Sequence, residues 1–206
     1  MIFAKTYDNP YDAWKTITSY FLSLSPTVLH EGEYLTHDGV IVSEILHPTT
    51  EIKPNHKYTQ DFADAYVKQI VEGNSDGDFV YTYHERLFDY LGTNQIEYCI
   101  NELKRDSHSR RAVAITWQPE KDSKLEDVPC LNWIKFVVNG NKLDLYCIFR
   151  SNDMFLAFYQ NALGLSGLLI HVAKQLNLDV GKLTISSYSA HVYIKRDLDD
   201  MRRLLA

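Results

Sequence analysis

Trp133-Ile134-Lys135-Phe136-Val137-Val138, then Asn139-Gly140, then Leu143-Asp144-Leu145-Tyr146-Cys147-Ile148-Phe149 is the stretch that decides the fold. Two β-branched and aromatic runs flank an Asn-Gly pair, the strongest short-range signal for an antiparallel hairpin. The period of two sets Leu143, Leu145, Cys147 and Phe149 on one face and Tyr146, Ile148 and Arg150 on the other. Cys147 therefore reads as structural, and Arg150 as an arginine buried at the end of an apolar strand.

Toward the C-terminus, Asn152 or Asp153 caps a long helix over about Met154 to Leu176, with Leu165, Leu168, Leu169, Val172 and Leu176 as its buried stripe. Asn161 lies near the start of that helix, where free amides and the dipole favour an electron-rich ligand. Leu183 to Ser189 is a strand that delivers His191 and Tyr193, and Leu198 to Leu205 is a closing helix. Toward the N-terminus, Cys130 follows Pro129 at the start of the hairpin, after a polar stretch, Gln118 to Asp127, that reads as an exposed loop. Ala112 to Trp117 is a strand. Thr93 caps a helix with Ile96, Ile100 and Leu103 inward and Cys99 beside them. Phe79 to Tyr83 alternates like a strand, after the loop run Gly73 to Asp78. Thr59 opens a helix whose Phe62, Tyr66 and Ile70 face inward, closed by Gly73. Val40 to Ile45 and Glu51 to Lys53 read as two short strands at a sheet edge. Asp8-Asn9-Pro10 starts a helix carrying Tyr11, Trp14, Ile17, Phe21 and Leu24. Strands and helices alternate without regular βαβ order, so an α+β fold is expected: one domain over residues 1–206, with a large mixed β-sheet flanked by helices.

The 206 residues suffice for one sizeable core, and 14 Tyr with 3 Trp exceed what that core needs, so some aromatics should line a pocket or an interface. A net charge of -6 argues against a nucleic-acid footprint while leaving room for a small anion held by local arginines. Cys99, Cys130 and Cys147 are too few for a disulfide framework and show no CxxC spacing, and the histidines show no metal spacing. No apolar run has the length of a membrane span. A soluble cytoplasmic protein without metal, nucleic-acid or membrane partners is expected.

Cys130 stands outside the apolar patterns that claim the other two cysteines. A thiol becomes a nucleophile where positive charge stabilises its thiolate, and Arg150 on the partner strand is placed to supply that charge. Arg110-Arg111 offers two guanidinium forks suited to a phosphate, although alone the pair reads sooner as an exposed basic turn. The Asn161 amide presents donor and acceptor together, as the carbonyl and adjacent N–H of a pyrimidine require, or simply bonds the backbone. His191 and Tyr193, alternate residues of an extended segment, can donate to one hydroxyl, or are plain strand-end polar groups.

Ser109-Arg110-Arg111-Ala112-Val113, Val128-Pro129-Cys130, Phe149-Arg150-Ser151-Asn152-Asp153, Asn161 and His191-Val192-Tyr193, in that order and at those intervals, resemble the thymidylate synthase and pyrimidine hydroxymethylase family. Trp117-Gln118-Pro119 and Pro129-Cys130-Leu131 look most like its short archaeal-type branch. The resemblance implies a deoxynucleoside monophosphate substrate, dUMP converted to dTMP. Its one-carbon donor would be 5,10-methylenetetrahydrofolate or a related methylene-tetrahydropterin. It implies that Cys130 adds to C6 of the pyrimidine and that Tyr83, with Tyr81 as the alternative, serves in proton removal at C5. Arg150 and Ser151 would hold the phosphate, together with Arg110 and Arg111 from the partner of a homodimer. His191 and Tyr193 would bond the 3′-hydroxyl, Asn161 would read the N3–C4 edge and Asp153 would contact the pterin. A hydroxymethylase acting on dUMP or dCMP through the same adduct is the alternative, and a non-catalytic nucleotide-binding relative the second. The chain departs from the family pattern at several places. No arginine stands near Glu31-Gly32-Glu33, and no glutamate matches the water-organising base, since Asp61, Asp64 and Glu72 are out of register. Leu131 and Phe149 replace a common histidine and glutamine, and only thirteen residues follow Tyr193, so no long folate-closing tail is expected.

Overall fold

Along the chain run β1 (Ile2–Tyr7), α1 (Pro10–Ser23), β2 (Val28–His30), β3 (Glu33–Ile45), α2 (Gln60–Glu72), α3 (Tyr83–Phe88), α4 (Gln95–Arg105), β4 (Val113–Ile115), α5 (Pro119–Asp122), β5 (Leu131–Asn139), β6 (Lys142–Asp153), α6 (Phe158–Leu176), β7 (Asp179–Tyr193) and α7 (Ile194–Leu205). The computed structural model describes residues 2–30, 33–73 and 80–206, and their side chains outside 28–38. The strands form one mixed sheet in the order β1-β3-β7-β6-β5-β4, with β2 paired to β3 off that path. Pairing is parallel at β1/β3 and β6/β7 and antiparallel elsewhere. This is the expected α+β architecture of a mixed sheet flanked by helices.

The hairpin forms where the sequence places it. Asn139 pairs with Lys142, leaving Gly140-Asn141 as the loop, and Gly140 at φ 62 supplies the positive φ that a type II′ turn needs at its first central position. Leu143, Leu145, Cys147 and Phe149 are all buried. β6 then runs on to Asp153 because its end pairs with β7, Ser151 opposite Ser189 and Asp153 opposite His191. For that reason α6 starts at Phe158 rather than Met154. The Asp153 carboxylate caps the intervening turn instead, its Oδ1 accepting the amides of Phe155 and Leu156 at 3.0 and 2.9 Å. Trp14 pins the same turn by donating to the Phe155 carbonyl at 2.8 Å, and Tyr58 does so by donating to that of Leu156 at 2.7 Å. α2 lies tight against α6 because Gly164 has no side chain: a Cβ there would stand 2.4 Å from Ile70 Cδ1.

Tertiary context overrides the pattern at several places. Val40 to Ile45 belongs to β3, which lies between β1 and β7 rather than at an edge. Glu51 to Lys53 forms no strand, and the Ile52 amide is bonded instead by the Gln60 side chain at 3.0 Å. Phe62 is 41% exposed, since α2 turns Ala63 and Ile70 inward. Tyr81 and Thr82 are unpaired, and the Thr82 hydroxyl accepts the Glu85 amide to start α3, so Tyr83 is helical. Asn94, not Thr93, caps α4, and α7 starts at Ile194 rather than Leu198. Glu31 and Gly32, and the stretch 74–79 with Phe79 and most of the predicted loop, lie outside the described residues.

The stretch Gln118 to Asp127 is not wholly an exposed loop. The short α5 buries Asp122 against Arg86, Oδ1 to Nη2 at 2.7 Å, with neither side chain exposed. Arg86 also donates to the Thr116 carbonyl, and the Gln118 amide donates to Asp122, so the pair ties α3 to the chain that precedes Cys130. Removing one member strands a buried charge, so Asp122→Ala should lower unfolding stability by about 3–5 kcal/mol in denaturant titration.

Candidate active site

Beyond the C-terminal ends of the parallel strands β6 and β7 opens a cavity of about 540 Å³, a size typical of small-molecule sites. β6 supplies Arg150, Ser151, Asn152 and Asp153, and β7 supplies His191 and Tyr193. Cys130 enters from the turn before β5, Asn161 from α6, Tyr66 from α2, and Tyr81 and Tyr83 from the start of α3. The surplus of aromatic residues thus has part of its explanation in this wall. Arg110 and Arg111 are the exceptions among the candidates: both are exposed in the turn between α4 and β4 and do not line the cavity.

Arg150 is exposed rather than buried, because it faces the cavity. Its Nε donates to the Pro129 carbonyl at 3.0 Å, and its Nη2 donates to the Val128 carbonyl at 2.8 Å and stands 3.7 Å from Cys130 Sγ. One guanidinium therefore both shapes the turn that carries the thiol and places positive charge beside it. Burial pushes the Cys130 thiol above its ordinary value; Arg150 pulls it back down and Asp127 adds to the rise. Cys99, raised to about 12 by burial, and the fully buried Cys147 are structural thiols.

The two tyrosines brace the same turn. Tyr81 donates its hydroxyl to the Val128 carbonyl at 3.3 Å, and the Leu131 amide donates to the Tyr83 hydroxyl at 3.2 Å. Burial raises Tyr81 to about 12 and Tyr83 well above the ordinary phenol value, so at neutral pH both are uncharged.

Asn161 is held on two sides, by the Tyr66 hydroxyl, which donates to Oδ1 at 2.9 Å, and by Asn152 Oδ1, which accepts from Nδ2 at 3.4 Å. His191 Nδ1 lies 2.9 Å from the Ser189 carbonyl. A carbonyl only accepts, so Nδ1 carries the hydrogen and Nε2 is left facing away from that bond. The His191 and Tyr193 rings meet edge to face at 5.4 Å. The Arg196 guanidinium lies over the Tyr193 ring at 4.4 Å and donates to Asp153 Oδ2 at 2.6 Å. Among the described residues no group of three or more His, Cys, Asp or Glu is gathered to hold a metal ion. Asp61, Asp64 and Glu72 are absent from the cavity wall, where α2 contributes Tyr66 and Gln69. Tyr66 and Asn152 also line the cavity: Tyr66 reads in sequence as one member of an inward stripe, and Asn152 as a helix cap within the Phe149–Asp153 motif, so neither has a role assigned by sequence alone.

A model of the thymidylate synthase family matches residues 14–206, and the chain belongs to that family of transferases. Its similarity is to methanogen proteins that bear the name "Putative thymidylate synthase". The one from Methanocaldococcus jannaschii is 36% identical, with 91% of this chain and 92% of the relative covered. That from Methanothermobacter thermautotrophicus is 30% identical over 88% and 89%, and that from Methanosarcina mazei 40% identical over 70% and 67%.

The charges around Cys130 set the order of its reactivity. Alkylation by iodoacetamide, followed by mass spectrometry across pH, should titrate above the ~8.5 of a free thiol. Arg150→Ala should move the profile to higher pH and Asp127→Asn to lower pH, because the first removes thiolate stabilisation and the second removes repulsion.

Proposed function

We propose that the chain transfers a one-carbon unit from a methylene-tetrahydropterin of the 5,10-methylenetetrahydrofolate type to C5 of a pyrimidine deoxynucleotide, dUMP to dTMP, with residues 1–206 acting as one domain in the cytoplasm. The observation that carries this reading is the convergence on one cavity of a thiol 3.7 Å from a guanidinium, a buried carboxamide and the His191–Tyr193 pair.

Cys130 Sγ adds to C6 of the pyrimidine, and the C5=C6 electron pair moves onto C5 and the C4 oxygen. The Asn161 amide donates to that oxygen as its charge grows, a stabilisation that is larger in a partly desolvated site. C5 is thereby made the nucleophile. Tyr83, uncharged, acts by holding the water that receives the C5 proton, and the S–C6 bond then breaks to return the thiolate. Arg150 and Ser151 hold the phosphate, and His191 and Tyr193 bond the 3′-hydroxyl. The pterin, when bound, would supply both the methylene unit and, from its reduced ring, the hydride that turns that unit into a methyl, leaving as the dihydropterin. Asp153 fits it: two amides and Arg196 occupy three of about four acceptor positions on the carboxylate, leaving one for a ring N–H.

A homodimer with shared sites is part of the proposal. Arg110 and Arg111 are exposed, away from their own chain's cavity. The sheet also leaves Trp133, Tyr146 and Ile148 around an open recess that a second subunit could cover. A mixture of the inactive Arg110→Ala and Cys130→Ala chains, after subunit exchange, should therefore recover part of the activity.

The absence of α2 carboxylates from the wall favours a second reading, in which water ends the reaction and a 5-hydroxymethyl nucleotide leaves. Incubation with dUMP or dCMP and methylenetetrahydrofolate, with the nucleotide weighed, separates the two. A methyl gain on dUMP is expected, and a hydroxymethyl gain selects the alternative. Cys130→Ala should abolish both turnover and release of tritium from C5; unchanged behaviour would instead mark a non-catalytic nucleotide-binding relative.

A further inference from the structure

A carboxamide presents a donor and an acceptor side by side, and a half-turn about its last bond exchanges them. Uracil offers an N–H at N3 and an oxygen at C4, whereas cytosine offers a bare nitrogen and an amino group. An amide free to turn reads both bases, so selectivity needs something that stops the turn.

Asn161 is 6% exposed and sits inside a directed chain of hydrogen bonds. The Tyr66 hydroxyl donates to its Oδ1 at 2.9 Å, its Nδ2 donates to Asn152 Oδ1 at 3.4 Å, and Asn152 Nδ2 donates to the buried Ser187 Oγ at 3.0 Å. Turning Asn161 alone would set two carbonyl oxygens against each other at Asn152. Reversing the whole chain would turn both carboxamides and leave the phenol proton without its acceptor. We infer that Tyr66 is the positioning residue that fixes the sense of the Asn161 carboxamide and, with it, the choice of uracil over cytosine.

Two further observations bear on this. Burial raises the Tyr66 phenol far above its ordinary value, with Tyr81 and Cys130 adding to the rise, so it remains protonated and a donor at neutral pH. The ring reaches Asn161 only because Gly164, one turn further along α6, lacks a side chain: a Cβ there would stand 2.8 Å from Tyr66 Cε1. Helix packing and base reading are thus coupled through one glycine.

The inference rests on the proposed nucleotide substrate, and calorimetric binding of dUMP and of dCMP to the full chain separates the two. The wild-type chain should prefer dUMP. Tyr66→Phe, which removes only the hydroxyl, should cut the dUMP-to-dCMP affinity ratio about tenfold, the scale of one lost hydrogen bond, through weaker dUMP and stronger dCMP binding. Gly164→Ala, which keeps the hydroxyl but displaces the ring, should move the ratio the same way. A purely structural role would weaken both nucleotides alike, and an unchanged ratio in both variants overturns the inference. A wild-type chain that binds both nucleotides equally also overturns it, whereas one that binds neither overturns the proposed function itself.

Discussion

The parallel pairing of β6 with β7 is the constraint on which the rest of the structure depends. A parallel pair cannot be joined by a tight turn, so the chain must cross over, and α6 is that crossover. The three segments therefore end or begin around one point. β6 brings Arg150 to Asp153 there, β7 brings His191 and Tyr193, and the start of α6 brings Asn161. Ligands in sheets with parallel strands tend to sit beyond the carboxyl ends of those strands, and the cavity lies there.

Around that point the protein uses each polar group more than once. Arg150 braces the two carbonyls that precede Cys130 while supplying the charge beside its sulfur. Asp153 caps the turn into α6, pairs with Arg196 and faces the cavity. Each double use ties site geometry to the local fold, so the positions of these groups are fixed by packing and hydrogen bonding instead of being left to side-chain freedom. The cost is a crowded, partly desolvated environment in which the thiol and the neighbouring phenols are all held toward their neutral forms.

Much of this was legible in the chain because local rules govern it. The Asn-Gly turn, the alternation of Leu143 through Phe149 and the cap at Asn9 depend on residues a few positions apart. What failed was set by distant neighbours. Glu51 to Lys53 looks extended but has no strand to pair with, Phe62 lies on a helix whose contact face is chosen by the glycines of α6, and Asp122 looks solvated until Arg86 is seen against it.

The same division holds for the site. The sequence by itself determined the family resemblance and the candidate groups: one cysteine outside the apolar patterns, an arginine on its partner strand, an asparagine early in a helix, and a His-x-Tyr strand end. Only the tertiary structure decided which of them share a cavity, and that Arg110 and Arg111 do not join it within one chain. It alone brought Tyr66 to Asn161, 95 positions apart, because the direction of a hydrogen bond between distant helices depends on how closely they pack, which no local spacing records.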